Sequence, residues 1–353
     1  MLGSTTSQPP RSHNMAPVSG RQTKAINSPQ RLLGAAGRSD AAHGPHFARS
    51  LPLLALAVLV LAGIPLCSTG CAATRARTAD PDRNGKIAFV RSGRLWMVGA
   101  GGNAVARLAG VSSGAANPAW SPDGSRIAYD RGGDIYVANA DGTGVVDVSA
   151  ASLHDRPADI GPPASCDMDP AWSPDGKLIA FTAIVDSCTG AAGGLYAMTP
   201  SGQGWRVIEE DYEGLQGGDG QPAWGPEGRG IAFTRSDTDL MSGGPYFYDI
   251  ELLDAATGKG VRALTKNGHS QAPTWSPDGK RIAFVERGRI AVMNVAGKRK
   301  RTLVSGNSPA WSPDGRLIVF VDRSGLEVIG ANGKGERLLL ACRCASPDWK
   351  PLR

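Results

Sequence analysis

A six-bladed, all-β propeller of four-stranded antiparallel blades is the fold this sequence predicts, on three observations. First, one phrase, Pro-x-Trp-Ser-Pro-Asp-Gly, recurs five times, at 118–124, 170–176, 222–228, 273–279 and 309–315. The third copy is softened to Trp224-Gly225-Pro226-Glu227-Gly228, and a truncated sixth stands at Ser346-Pro347-Asp348-Trp349. Second, the tryptophans Trp120, Trp172, Trp224, Trp275, Trp311 and Trp349 lie 52, 52, 51, 36 and 38 residues apart. Periods of that length belong to stacked or circular repeats. Third, the segments between them read as short strands and turns, without helical periodicity.

The elements follow in order within each repeat. Pro-x-Trp is the first strand. Ser-Pro-Asp-Gly has the composition of a type I turn: proline presets φ, aspartate bonds local backbone, and glycine takes the left-handed position. An apolar run such as Leu178-Ile179-Ala180-Phe181 or Ile282-Ala283-Phe284 follows, as suits a strand buried on both faces. A third strand, as in Asp134-Ile135-Tyr136-Val137, leads to a second turn (Asn139-Ala140-Asp141-Gly142) and a last strand such as Arg337-Leu338-Leu339-Leu340. Such a sheet cannot bury both faces alone, but a ring of them can. The stretches Gly85–Val90 and Leu95–Val98 begin a unit that lacks its own Pro-x-Trp strand, and Pro347-Asp348-Trp349 supplies it. The two chain ends therefore share one blade, which removes an open edge. Residues 84–353 give 45 per blade.

The phrase P-x-W-S-P-D-G followed by I-A-F resembles the WD40-like PD40 repeat of TolB-type propellers, over nearly all of 84–353. The resemblance implies a six-bladed ring and an association with the Tol–Pal envelope system. TolB-type proteins carry an α/β domain before the propeller; here the linker 72–83 leaves no room for one. The six motif tryptophans are expected to be structural, packing in the core rather than forming a carbohydrate platform.

The formal charge of +6 comes from 38 Lys/Arg against 32 Asp/Glu. Residues 1–50 hold six of the bases (Arg11, Arg21, Lys24, Arg31, Arg38, Arg49) and one acid, Asp40, so 71–353 carries 32 against 31, a net +1. The basic balance belongs to a leader, expected to be disordered. A basic stripe with interleaved aromatics is absent, which argues against nucleic acid. Leu51 to Leu66 is a sixteen-residue apolar run, shorter than the ~20 residues of a membrane span and shaped like a signal peptide. Ser68-Thr69-Gly70-Cys71 resembles a lipobox, so 51–71 predicts export with lipid attachment at Cys71. Cleaved secretion and an uncleaved anchor are the alternatives. The expected place is the cell envelope outside the cytoplasmic membrane, with membrane contact through the lipid anchor alone.

Cysteine use agrees with an oxidising compartment. Cys166 precedes the first strand of its repeat and Cys188 follows the second, at the same end of neighbouring strands, which predicts a Cys166–Cys188 disulfide. Cys342 and Cys344 are separated only by Arg343. A bridge across one residue is unfavourable in geometry, so a structural or inter-loop role is expected of them instead.

Insertions in the long repeats fall at 149–167 and 209–220, between blades, and at 183–194 and 235–246, in the turns between second and third strands. An up-and-down meander brings all four to one face. They carry Asp155, Asp159, Asp167, Asp186, Glu209, Glu210, Asp211, Glu213, Asp219, Asp237 and Asp239 against Arg156 and Arg235, a local −9. Such a surface favours a basic partner, a cationic ligand or a divalent ion. The expected binding residues are His154, Asp155, Arg156, Asp159, Asp186, Glu210, Asp211, Tyr212, Glu213, Asp219, Asp237 and Asp239. The bland alternative is a solvated acidic surface without a ligand.

Other motifs carry less. Asp80-Pro81-Asp82-Arg83-Asn84-Gly85 matches half of a calcium loop, but its twelfth position is Arg91, and Asn84-Gly85 aligns with an ordinary blade turn. Gly268-His269-Ser270-Gln271-Ala272 looks like a nucleophile elbow without the strand-to-helix context an elbow needs. His154 and His269, with Asp155 and Asp159, leave a metal-assisted lyase or hydrolase resembling streptogramin-lyase-like propellers as the runner-up, and a cation- or carbohydrate-binding sensor as a third. No spacing singles out a metal-ligand set or a cofactor. The reading is a monomeric, non-catalytic module that binds an envelope protein or cell-wall component through the acidic loop face.

Overall fold

The computed structural model describes residues 84–150, 166–184, 193–209, 218–237 and 247–352. It contains six four-stranded antiparallel sheets. Blade 1 joins the chain ends: Cys344–Trp349, then Lys86–Arg91, Arg94–Gly99 and Ala106–Arg107. Trp349 stands opposite Ile87, and Cys344 opposite Arg91. Blade 2 is Ala115–Trp120, Arg126–Arg131, Asp134–Asn139 and Val146–Asp147; blade 3 is Cys166–Trp172, Ile179–Ile184, Gly193–Met198 and Arg206–Glu209. Blade 4 is Asp219–Trp224, Gly230–Asp237, Phe247–Asp254 and Arg262–Ala263. Blade 5 is Ser270–Trp275, Arg281–Glu286, Arg289–Asn294 and Arg301–Ser305; blade 6 is Asn307–Trp311, Leu317–Val321, Gly325–Gly330 and Arg337–Ala341.

Six apolar clusters hold the ring, each spanning one pair of neighbours. Phe89 and Val319 share the cluster of blades 1 and 6, for example, and Ala283 and Phe320 that of blades 5 and 6. The last residue of each I-A-F run (Phe89, Tyr129, Phe181, Phe233, Phe284, Phe320) is fully buried. A side chain of that kind contributes ~2–3 kcal/mol on burial, so the repeat concentrates its stabilisation at one register position.

The turn chemistry is as the residues dictate. Gly124 N–H donates to Ser121 O at 2.8 Å, Ser121 Oγ donates to Asp123 Oδ1 at 2.7 Å, and Arg126 N–H donates to Ser121 Oγ at 2.9 Å. The same set recurs around Ser173, Ser276 and Ser312. Hydroxyl donation from Ser125 and Ser121 holds the Asp123 carboxyl well below the usual aspartate range. The motif tryptophans tie blade to blade. The indoles of Trp172, Trp275 and Trp311 donate to the carbonyls of Ala119, Ala223 and Thr274, each the residue before the preceding repeat's tryptophan, at 3.0–3.2 Å.

The first strand of each blade is innermost and carries a bulge three residues before its tryptophan. Asn117, Asp169, Gln221, Ala272, Ser308 and Ser346 have φ between 43° and 54°, and the ladder shifts register there. The proline that follows each of them brings no N–H to be satisfied at the interruption. The repeated phrase thus encodes a bulge as well as a turn.

One expectation is corrected. Cys342 and Cys344 are bonded to each other: the strand Arg337–Ala341 ends and Cys344–Trp349 begins between them, and this bend brings their Cα atoms to 5.3 Å. That separation is normal for a disulfide, whereas the sequence argument took a bridge across one residue to be unfavourable. Cys166 is also disulfide-bonded; Cys188 lies outside the described residues, as does Cys71.

Candidate functional site at the mouth of the channel

The face carrying the insertions has a described frame. Gly193 and Gly218 form a bridge, as do Tyr248 and His269, so turns inside blades and connections between blades do meet at one end. There a cavity of about 410 Å³ opens onto the inner strands of blades 3 and 4, lined by Asp169, Thr182, Gln221, Thr234, Tyr248 and Gln271, among others. Ile184, Gly193 and Gly218, which flank two of the insertions, also line it.

Beneath the mouth, a belt of polar groups crosses five blades, from blade 1 to blade 5. Ser346 Oγ donates to Asn117 Oδ1 at 2.8 Å, and the Asn117 side chain bonds the Asp130 carboxyl. Asp169 N–H donates to Asp130 Oδ1 at 3.2 Å, and Gln221 N–H to Thr182 Oγ1 at 3.1 Å. Thr234 Oγ1 donates to Gln221 Oε1 at 2.9 Å, and Ala272 N–H reaches Thr234 Oγ1 at 3.1 Å. The bulge residues of blades 3, 4 and 5 therefore hand their N–H groups to the side chain that follows the aromatic in the preceding blade's second strand: Asp130, Thr182 and Thr234. In blades 5, 6 and 1 that register position holds Val285, Val321 and Val90, all buried.

Burial, reinforced by the neighbouring Asp130 charge, pushes the Asp169 carboxyl up to about 7. Burial raises Asp130 as well, against the hydrogen bonds it accepts from Asn117 and Asp169. A carboxyl with a folded value of about 7 can exchange a proton near neutral pH.

The acidic surface is reshaped by Arg235. Its guanidinium lies within 3.0 Å of Glu209, 3.1 Å of Asp219 and 3.2 Å of Glu251, and it grips Asp219 through two nitrogens. The side chain of Asp219 is 1% exposed and Asp167 is buried, so both lie beneath the surface, while Asp237 and His269 are exposed. His154, Asp155, Arg156, Asp159, Asp186, Glu210, Asp211, Tyr212, Glu213 and Asp239 lie outside the described residues. No group of three His, Cys, Asp or Glu side chains could hold a metal among the described residues. Sequence reasoning missed Asp130, Asp169 and Gln221. The signal was present: aligned on their prolines, the repeats differ at the residue before proline and at the residue after the buried aromatic.

Comparison with known proteins agrees with this architecture. The chain is 26% identical over 167 residues to an uncharacterized protein of Agrobacterium fabrum, covering 47% of this chain and 49% of that one. It is 34% identical over 109 residues to the Tol-Pal system protein TolB of Gluconobacter oxydans, covering 31% and 22%. The matches thus span half or less of these relatives. The crystal structure of TolB from Acinetobacter baumannii shares the fold, with a TM-score of 0.57 at 23% identity over 77% of this chain and 68% of that one. Residues 159–353 match the TolB beta propeller domain model, and the chain belongs to that family.

Proposed function

We propose that this propeller is an extracytoplasmic, non-catalytic binding module that holds an envelope protein or cell-wall component at the channel mouth over blades 2–4. The observation that carries the reading is the coincidence, on one arc of the ring, of the insertions, the 410 Å³ cavity and the polar belt. Long loops on one side of a rigid scaffold are the usual place for recognition, and an acidic arc favours a basic partner. The leader, the apolar run at 51–66 and Cys71 support export and lipid attachment. The relative named as a Tol-Pal system protein supports an envelope setting. Cross-linking of the tagged protein in its native envelope, with captured partners identified by mass spectrometry, tests the reading. One discrete partner, lost when Glu210, Asp211 and Glu213 are changed to lysine, is the expected result. A capture profile that the triple change leaves intact would count against this face.

A second reading has one observation behind it. Asp169, held near neutrality beside Asp130, has the titration behaviour of a general acid or base. Turnover of an envelope-derived substrate abolished by Asp169→Asn would favour an enzyme over a binding module.

A further inference from the structure

On the face opposite the insertions the motif tryptophans are covered from neighbouring segments. In blades 2 and 5 the residue that begins the apolar run lies over the motif tryptophan of the next blade, whereas Trp120 is covered by Lys350, whose Nζ lies 5.1 Å from its ring centre. Blade 2 places the Arg126 guanidinium 4.8 Å from the centre of the Trp172 ring, and blade 5 places that of Arg281 4.5 Å from Trp311. Arg281 also reaches across the seam, its Nη2 donating to Gly315 O at 3.3 Å. Leu178 and Leu317 hold this place in blades 3 and 6. In blade 4 it is Gly230, and the turn serine is Gly225 as well.

Neither glycine has a positive φ, so the backbone does not require them. A Cβ on Gly225 would stand 3.3 Å from Gly230 O and 3.4 Å from the Trp275 ring, and one on Gly230 would stand 3.2 Å from Leu252 Cδ1 and 3.9 Å from the ring. Between blades 4 and 5 lies a cavity of about 340 Å³, lined by Trp275, Leu252, Val295 and Pro226, with Glu227 and Asp254 among its polar groups. Trp275 is half-buried, as is Trp224, whereas Trp172 and Trp311 are 7% and 6% exposed.

We propose that this cavity binds an arginine side chain of a protein partner, its guanidinium taking over Trp275 the place that Arg126 and Arg281 take over Trp172 and Trp311. An indole face attracts a planar cation, more strongly when water is excluded. The acceptors are in place. The carboxylates of Glu227 and Asp254 border the cavity, and Gly279, the counterpart of the Gly315 that Arg281 reaches, lines it. Of the two bases that also line it, Arg262 is engaged, donating to Val295 O at 2.7 Å, and Arg229 is exposed. The inference is independent of the channel-mouth reading, since it concerns the opposite face.

The test is an NMR titration of the full chain, following the Trp275 indole N–H, with Nα-acetyl-arginine amide and its neutral isostere Nα-acetyl-citrulline amide. Saturable shifts with arginine, and binding of citrulline roughly tenfold weaker, are expected. Gly230→Arg should abolish binding by restoring the blade 2 and blade 5 arrangement from within. Gly230→Leu, which copies blades 3 and 6, is the second variant and should also close the site. Equal response to citrulline, shifts that survive both variants, absence of any shift, or preferential binding of methyl glucoside would overturn the proposal.

Discussion

Blades 2–4 and blades 5, 6 and 1 share one scaffold and differ in what they present to the channel. In both arcs the proline follows a left-handed bulge residue, the aromatic is fully buried, and the tryptophan packs at the seam. At the register position after the aromatic, one arc has Asp130, Thr182 and Thr234, each accepting a bulge N–H from the next blade; the other has Val285, Val321 and Val90. The polar arc is also the one with long connections. A repeat scaffold fixes its own register by what recurs, and the positions that vary at constant register are free to carry function. The seam at Gly230 varies in the same way on the opposite face: glycine stands where other blades carry arginine, leucine or lysine.

The contrast can be broken most forcefully at Arg235. It is a cation held among Glu209, Asp219 and Glu251, and removing one partner of a buried ionic cluster costs about 3–5 kcal/mol. Arg235→Ala is expected to lose that much stability in urea unfolding, whereas Arg289→Ala, at an exposed strand end of blade 5, should lose under about 0.5 kcal/mol. Equal losses would mean that the cluster is not the keystone of the polar arc.

The Cys166–Cys188 bridge proposed for blade 3 would close a loop of 22 residues. Cys188→Ser is then expected to cost about 3 kcal/mol, and a non-reduced digest should contain the linked peptides. Free thiol at Cys188 in the mature protein would refute the pairing.

Asp169 gives the arc a pH signature. Its folded value of about 7 stands above the ordinary 3.8, so the folded state binds this proton more tightly than the unfolded chain. The stabilisation is complete below pH ~4 and is lost as pH rises through about 7. Asp169→Asn should flatten the stability profile across that window and raise stability at pH 8 by about 2–4 kcal/mol, allowing for partial contact with solvent. An unchanged profile would show that the carboxyl is better solvated than its surroundings indicate. The smallest effect concerns the belt alone. Thr234→Val removes the hydroxyl that bonds Gln221 and receives Ala272 N–H, at about 1 kcal/mol. Chemical denaturation resolves it, and a neutral result would make the belt a bystander.

Much of this was legible before the structure. The tryptophan spacing and the divided last blade specified six sheets and their closure, because turn residues and buried aromatics recur with little variation. The common face of the insertions followed from strand alternation alone. Less legible were features made by contacts between repeats. Asp219 reads as an exposed acid in a polar loop, yet lies buried beneath Arg235, because whether a carboxylate at a strand end faces water depends on the neighbouring strand. Cys342 and Cys344 read as too close to bond, because the bend between two blades is invisible in the spacing. Asp169 stands in the sequence only as the residue before Pro170; its proximity to Asp130 arises only when blades 2 and 3 pack.

The central claim, that one arc of the ring does the binding, is tested most directly by site-specific photo-cross-linking in the native envelope. A photoreactive residue would replace Tyr248, which lines the channel-mouth cavity, or Ser324, exposed in the corresponding turn of blade 6. A discrete adduct from position 248 and none from 324 is the predicted result; adducts of equal yield from both positions, or from 324 alone, would contradict it.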